Sequence, residues 1–310
     1  MSRFLVTGGA GFIGSHIVER LARQRHYVRV LDNFSSGKRQ NLSSCIERID
    51  LIEGDITNAK TCLKAVKGMD FVLHQAALRS VPKSMQFPAE YNRVNIDGTL
   101  NMLLAARAAK VKRFVFASSS SVYGVAEEFP QKETVFPAPV SPYALTKLAG
   151  EYYCRIFALE HGVPAIALRY FNVFGPRQSL DDQYAVVIPK FIDCLIKDKP
   201  LTVYGTGRQS RDFTFVSNVV DANLLAAKSR LKFGVFNIAS GKERTILDLA
   251  ARLGRILGKK PRKLFLPKRP GDVLKTLADL KHSRSGLNYY PGVDFLLGLA
   301  ITADHWRKNA

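Results

Sequence analysis

Over the first 170 or so residues, short apolar runs alternate with stretches in which apolar residues return every third or fourth position. The runs predict strands at Arg3–Thr7, Tyr27–Leu31, Arg48–Glu53, Asp70–His74, Arg113–Ser118 and Ala165–Arg169. The periodic stretches predict helices from Ser15, over Thr57–Lys67, from about Tyr91 to Ala109, and over Ser141–Glu160. Ser141-Pro142 supplies a side-chain cap followed by a proline at the first helical position, where a missing N–H costs nothing. Alternating strands and helices predict an α/β fold, a doubly wound parallel sheet with helices on both faces.

Beyond residue 170 the periodicity weakens and turn residues multiply, as in Phe174-Gly-Pro-Arg-Gln-Ser and Tyr204-Gly-Thr-Gly. Helices near Ala185–Lys197 and Thr245–Leu257, and a strand at Val235–Ile238 that returns to the main sheet, predict a smaller α/β lobe. The expected division is a dinucleotide-binding domain over 1–172, with returning segments near 210–240, and a substrate lobe formed mainly by 173–310. Ligands of such sheets sit at the carboxyl ends of the strands, here between the lobes.

The first strand carries the most specific chemistry. It ends on Gly8-Gly-Ala-Gly11-Phe-Ile-Gly14 and opens directly into a helix. Gly8 permits the turn, Gly11 lets backbone approach phosphate oxygens, Gly14 packs helix on strand, and the helix N-terminus offers N–H groups to a diphosphate. The second strand ends at Asp32, at the interval where a dinucleotide site places the acid for an adenosine ribose. A carboxylate there repels a 2′-phosphate, which favours NAD over NADP.

Composition narrows the picture. The chain has 310 residues, 46% of them hydrophobic, which suits a globular protein of two lobes. No apolar run approaches the ~20 residues of a bilayer span, and the N-terminus enters a strand without a secretory leader, so a cytoplasmic address is expected. Cys45, Cys62, Cys154 and Cys194 are scattered and read as reduced packing residues, not as metal ligands. A net charge of +20 would permit contact with nucleic acid or an anionic membrane. The cations are spread along the chain, with mild density only at Lys259–Lys263 and Lys268-Arg269, which reads as a solvated basic surface that also attracts a nucleoside diphosphate.

Tyr143 and Lys147, four apart on the helix from Ser141, share one face. A neighbouring ammonium and a cationic nicotinamide both favour the phenolate, so the pair is suited to take a proton from an alcohol while hydride leaves for a cofactor. Spacing alone does not distinguish it from an ordinary helical pair. Ser118–Ser121 supply hydroxyls at a strand end where that alcohol would lie, and spacing singles out none of them. His74, at the end of an apolar strand, reads as a packed histidine.

Taken together, Thr7–Gly14, Asp32-Asn33, Gly54-Asp-Ile56, His74–Ala77, Ser118–Gly124, Tyr143 with Lys147, Arg169-Tyr-Phe-Asn172, Arg211-Asp-Phe213 and Arg269-Pro-Gly-Asp272 resemble the extended short-chain dehydrogenase/reductases, and within them the NAD-dependent UDP-sugar 4-epimerases. His74–Ser84 resembles the branch acting on UDP-N-acetylhexosamines. The resemblance implies a Rossmann fold, bound NAD, a homodimer, and Tyr143 as base with Lys147 lowering its pKa and holding the nicotinamide ribose. Ser119, four before Tyr123, is implied to bond the sugar 4-hydroxyl. Gly8, Gly11, Phe12, Ile13, Asp32, Asn33, Ser36, Gly37, Asp55, Ile56, Gln75, Ala76, Ala77, Asn95 and Tyr170 are implied to line the cofactor. Asn172, Val187, Tyr204, Arg211, Arg269 and Asp272 are implied to hold the UDP moiety, the two arginines at its phosphates and Asp272 at its ribose.

Several departures qualify the resemblance. Ser120-Ser121 stand where related 4,6-dehydratases carry Asp-Glu, so water elimination lacks its acid and base. Arg79 replaces a glycine usual in the N-acetylhexosamine branch, and Val125 and Ser217 stand where acids are common. Thr276, four after Asp272, falls where a tyrosine restricts relatives to unsubstituted hexoses, which implies room for an acetamido group. The alternatives are a UDP-sugar decarboxylase or reductase sharing the first step, and a basic NAD-binding regulatory or nucleic-acid-binding protein.

Overall fold

A computed structural model describes residues 1–180, 187–268 and 273–308. In its first half, β1 (Arg3–Thr7), α1 (Phe12–Arg23), β2 (Tyr27–Asp32), β3 (Asp50–Glu53), α2 (Ala59–Val66) and β4 (Phe71–His74) follow one another, with a 3-10 segment at Arg39–Arg48. Next come α3 (Val81–Gln86), α4 (Pro88–Tyr91), a π-helical turn at Asn92–Asp97, α5 (Gly98–Ala108), β5 (Arg113–Ser119), α6 (Pro142–Glu160) and β6 (Ala165–Tyr170). The second half contributes β7 (Val173–Phe174), α7 (Val187–Ile196), β8 (Leu201–Tyr204), β9 (Ser210–Asp212), β10 (Thr214–Phe215), α8 (Val216–Lys228) and β11 (Phe233–Ile238). It ends with β12 (Glu243–Thr245), α9 (Ile246–Leu257), β13 (Lys263–Leu266), α10 (Lys281–Leu287) and α11 (Phe295–Lys308).

The main sheet has seven strands in the order β11-β6-β5-β4-β1-β2-β3, and every neighbouring pair is parallel. This is the doubly wound arrangement that the alternation predicts, with β11 returning from the second half to pair with β6. Strand order reverses between β1 and β4, which opens a crevice at their carboxyl ends. Two apolar layers flank the sheet. One gathers Ile17, Leu21, Val219 and Ala226 from α1 and α8, and the other gathers Met102, Leu103, Cys154 and Phe157 from α5 and α6. β5, in the middle, is buried at all seven positions. A third core, around Phe174, Phe191, Phe213, Phe215, Leu249 and Leu299, belongs to the second half.

The elements differ from the sequence pattern in informative places. α1 begins at Phe12, because Gly11 adopts an extended conformation and serves as its cap. α2 begins at Ala59, where Asn58 Oδ1 accepts from the Thr61 N–H. The expected strand from Arg48 starts at Asp50, since Arg48 closes the 3-10 segment. The single helix expected over Tyr91–Ala109 is interrupted by the π-helical turn. α3, α8, α10 and α11 were not anticipated. The start of the helix expected at Ala185 lies outside the described residues, and α7 is described from Val187. Among the described residues, no helix is long and apolar enough to cross a membrane.

Candidate active site

A single cavity of about 2100 Å³ runs along the carboxyl edge of the sheet and out between the two halves. It exceeds the ~300–1,000 Å³ typical of one small-ligand site, which leaves room for two ligands side by side. At one end stand Gly8, Gly11, Phe12, Ile13, Asp32, Asn33, Ser36, Gly37, Asp55 and Ile56. Ser119, Tyr143 and Lys147 occupy its middle, with Gln75, Ala76, Ala77 and Tyr170. Asn172, Val187, Tyr204, Arg211 and Thr276 line the far end.

The glycine turn is sterically constrained. Gly8 has φ +65°, and a Cβ there would lie 2.8 Å from the Ala76 backbone; at Gly14 a Cβ would lie 2.1 Å from the Gly8 carbonyl oxygen. No side chain caps α1 and no acid stands in its first turn, so its positive end faces the cavity unopposed. Asp32 is buried, its carboxylate accepting from the N–H groups of Ala10 and Phe34, both at 2.8 Å. Burial pushes its pKa up against those two bonds. A carboxylate has about four acceptor sites, so the pair of backbone bonds orients Asp32 while leaving capacity for ribose hydroxyls.

The middle of the site is held from below. Lys147 is buried and donates from Nζ to the Ala117 carbonyl at 2.8 Å, with Nζ 6.0 Å from the centre of the Tyr143 ring. Burial lowers its pKa to about 8. Ser119 Oγ lies 2.8 Å from Ser121 Oγ and accepts from the Ser121 N–H. One turn past Lys147 on α6, Glu151 forms a buried, two-point ion pair with Arg169 on β6, at 2.9 and 2.7 Å, and accepts from Ser118 Oγ. Helix and strands are thereby locked together beneath Ser119 and Tyr143. His74 is the packed residue expected: its ring nitrogens meet the hydroxyls of Thr7 and Thr99 at 2.7 and 3.0 Å, and burial drops its pKa to about 3.

Asn95 does not reach the cavity. Its amide bonds both backbone groups of Leu78 and the Thr146 hydroxyl, so it stands one layer behind and pins the loop after β4 to α6. Tyr170 is buried and its hydroxyl donates to Gln75 Oε1 at 3.1 Å, which ties two cavity walls together. Arg79 also lines the cavity. Arg269 and Asp272 lie outside the described residues.

The sequence profile described as "NAD dependent epimerase/dehydratase family" matches residues 4–239. The chain belongs to this family. It is 40% identical to the UDP-N-acetylglucosamine 4-epimerase from Methanobrevibacter ruminantium M1 in complex with UDP-N-acetylmuramic acid, with a TM-score of 0.96 over 100% of this chain and 99% of that one. The UDP-glucose 4-epimerase of Thermus thermophilus in complex with NAD is 35% identical, with a TM-score of 0.91 over 99% and 100% of the two chains. A UDP-N-acetyl-alpha-D-glucosaminuronate decarboxylase of Bacillus cytotoxicus is 33% identical over 99% of this chain and 98% of its own length.

Family membership places NAD at the glycine turn, and the residues present fit it. The uncapped α1 terminus suits a diphosphate, and Asp32 stands beside Gly37, where a Cβ would come within 2.9 Å of its carboxylate oxygen. The pattern of the sequence missed other walls of the cavity: Arg177, Phe213, Gln209, His305 and Trp306. Arg177 could have been suspected from Gly175-Pro-Arg177 after a strand end; it reaches Glu19 on α1 at 2.6 Å. His305 and Trp306 come from α11, at the end of the chain and beyond every motif, and no local signal marks them.

Proposed function

We propose that this chain inverts C4 of a UDP-hexose, with NAD retained through the cycle, and that Ser119, Tyr143 and Lys147 carry the chemistry. The observation that carries the reading is that these three face one cavity, with the phosphate-binding turn at one end and Tyr204 and Arg211 at the other. Tyr143, as phenolate, takes the proton of the 4-hydroxyl. Ser119, oriented by Ser121, hydrogen-bonds the same oxygen and shares the charge that develops on it. The Lys147 ammonium favours the phenolate and is itself kept in register by the Ala117 carbonyl. When bound, the nicotinamide supplies a reversible hydride acceptor. The 4-keto sugar, free to turn about its diphosphate linkage, presents its other face, and Tyr143 returns the proton to the new hydroxyl.

Gly8 to Ile13, Asp32, Asn33, Ser36, Gly37, Asp55 and Ile56 hold the cofactor in this reading, within the domain 1–172. Asn172, Val187, Tyr204, Arg211 and Thr276 hold the UDP-sugar, with Arg269 and Asp272 assigned by resemblance. Ser120 and Ser121 offer no carboxyl group for elimination, which sets the reaction apart from dehydration. Thr276 leaves space at the sugar, so UDP-GlcNAc and UDP-GalNAc are accepted, with or without UDP-glucose and UDP-galactose. Leu104 on α5 and Leu145, Tyr152, Ile156 and Leu159 on α6 are exposed apolar residues, which supports a homodimer through these helices. The proposed address is the cytoplasm.

The test is proton NMR of products from these four UDP-sugars without added cofactor. The reading expects C4-inverted product and, from denatured protein, about one equivalent of NAD(H) per chain. Stoichiometric release of NADH with an oxidised sugar would identify a dehydrogenase instead.

A further inference from the structure

Asn172 lies two residues past the end of β6, at φ +34°, and forms part of the cavity wall. Its Nδ2 donates to the Asp212 backbone carbonyl at 3.1 Å and to Thr276 Oγ1 at 2.9 Å. A backbone carbonyl can only accept, so the amide atom facing it has to be the nitrogen, and the orientation of the Asn172 amide follows from chemistry. That nitrogen has two protons, and both are engaged within the protein. Oδ1 is what remains for a ligand.

Thr276 is fixed in the same way. Its Oγ1 accepts from Asn172 and also from the Asp212 N–H at 3.1 Å, so both lone pairs are occupied and its hydroxyl proton is left to donate. Behind the pair, the buried Asp212 carboxylate accepts from the Ser240 N–H (2.9 Å), the Ser240 hydroxyl (2.6 Å), the Gly241 N–H (3.0 Å) and the Ala278 N–H (3.2 Å). These bonds tie β9 to the turn after β11 and to the segment that carries Thr276. No local rotation reverses the amide without breaking this knot.

We propose that the Asp212–Thr276 knot makes Asn172 an acceptor-only wall of the sugar pocket, so that the enzyme takes neutral UDP-hexoses offering a hydroxyl or amide N–H there and rejects UDP-hexuronic acids. The proposal rests on the reading of the site as a UDP-hexose pocket. A carboxylate turned toward Asn172 would set lone pairs against lone pairs, with no proton to offer Oδ1. A hydroxyl in the same place makes a bond. Sites built around one hydrogen-bonding polarity discriminate far more strongly than sites that measure size.

The test has two arms. In the first, kcat/KM of the wild type is measured on UDP-glucose, UDP-GlcNAc and UDP-glucuronic acid. The proposal expects the acid to be slower than the better neutral sugar by about 10²-fold or more, and a difference under about tenfold would overturn it. A protein that inverts no neutral sugar sinks the underlying reading, and this proposal with it; one that inverts neutral and acidic sugars alike sinks only this proposal.

The second arm is Asn172→Asp, which sets an oxygen against the Asp212 carbonyl. Only the protonated carboxyl can donate there, so the ratio of variant to wild-type kcat/KM on a neutral sugar should be low at pH 8 and rise as pH falls toward 5. The Asp212 carboxyl, raised by burial to about 6, and Lys147, lowered by burial to about 8, titrate in both proteins and divide out of the ratio, while Arg211 stays charged throughout. A variant that folds, by circular dichroism, and shows wild-type activity at pH 8 would mean that the amide orientation at 172 is not fixed. If the variant fails to fold, the uronic acid comparison on the wild type decides.

Discussion

The two halves of the molecule obtain order by different means. In the cofactor half, most strands are followed by a helix, most strands pair with a neighbour in sequence, and the critical turn is specified within Gly8–Gly14. In the substrate half, described sheets of two strands pair β10 with β7, β12 with β9 and β13 with β8, and α11 comes back from the end of the chain to pack on Phe174 and Phe215. The first half is locally encoded and sterically tight. The second is a set of long-range knots, of which Asp212 is the clearest. A substitution in the first is expected to strike the cofactor and the fold, and one in the second to strike the choice of sugar.

The largest effect falls where the halves meet. Tyr143→Phe removes the proton acceptor, a role worth about 10²–10⁴-fold, while leaving both ligand ends intact. Turnover should fall by that factor with UDP affinity by calorimetry unchanged; wild-type turnover would remove Tyr143 from its role. Next in size is Gly14→Ala. Its Cβ would meet the Gly8 carbonyl at 2.1 Å, so α1 must shift, at a cost of about 3 kcal/mol in an overpacked site. The variant should lose bound NAD and melt lower, and a protein that kept both would show that the turn has slack.

Lys147 gives a comparable number with the opposite sign. Its pKa, lowered by burial to about 8, lies below that of the unfolded chain, so between the two values the unfolded state holds more protons and stability rises with pH. Below pH 8 the buried ammonium costs on the order of 3 kcal/mol. Lys147→Met should therefore be inactive yet at least as stable as the wild type at pH 7, with a flatter stability profile from pH 8 to 10. Lower stability for the methionine variant at pH 7 would mean that the Ala117 bond outweighs the burial.

The smallest effect expected is the most selective. Thr276→Tyr fills the space at the sugar and removes the acceptor for Asn172 and the Asp212 N–H. The lost bonds cost both substrate classes alike, about 1 kcal/mol each. Steric exclusion falls only on the acetamido sugars, so the ratio of UDP-GlcNAc to UDP-glucose turnover should drop about tenfold or more. An unchanged ratio would place Thr276 outside the sugar wall.

The same contrast explains what could be read from the chain alone. The strands β1 to β6, the glycine turn, Asp32 and the Tyr143–Lys147 face were legible because their signals span a few residues. Asn95 was legible as a residue but not in its place: a π-helical turn at Asn92–Asp97 sets the register of its side chain, and this puts it on Leu78 and Thr146. α8 was missed although it shares a face of the sheet with α1, because its two-sided burial blurs the amphipathic pattern; Val216, Asn218, Val219, Val220, Ala222 and Asn223 are all buried. His305 and Trp306 reach the cavity through the docking of α11, which no neighbouring residue announces. The polarity of Asn172 depends on three segments meeting, and was out of reach of any local pattern.

The central claim is that hydrogen leaves C4 and returns to C4 without exchanging with water. The measurement is proton NMR of UDP-hexose turnover in deuterium oxide by the protein as purified. The account predicts inverted product that retains its full C4 proton signal through many turnovers. Deuterium appearing at C4 or C5, or inversion only when external NAD is supplied and NADH builds up, would contradict it.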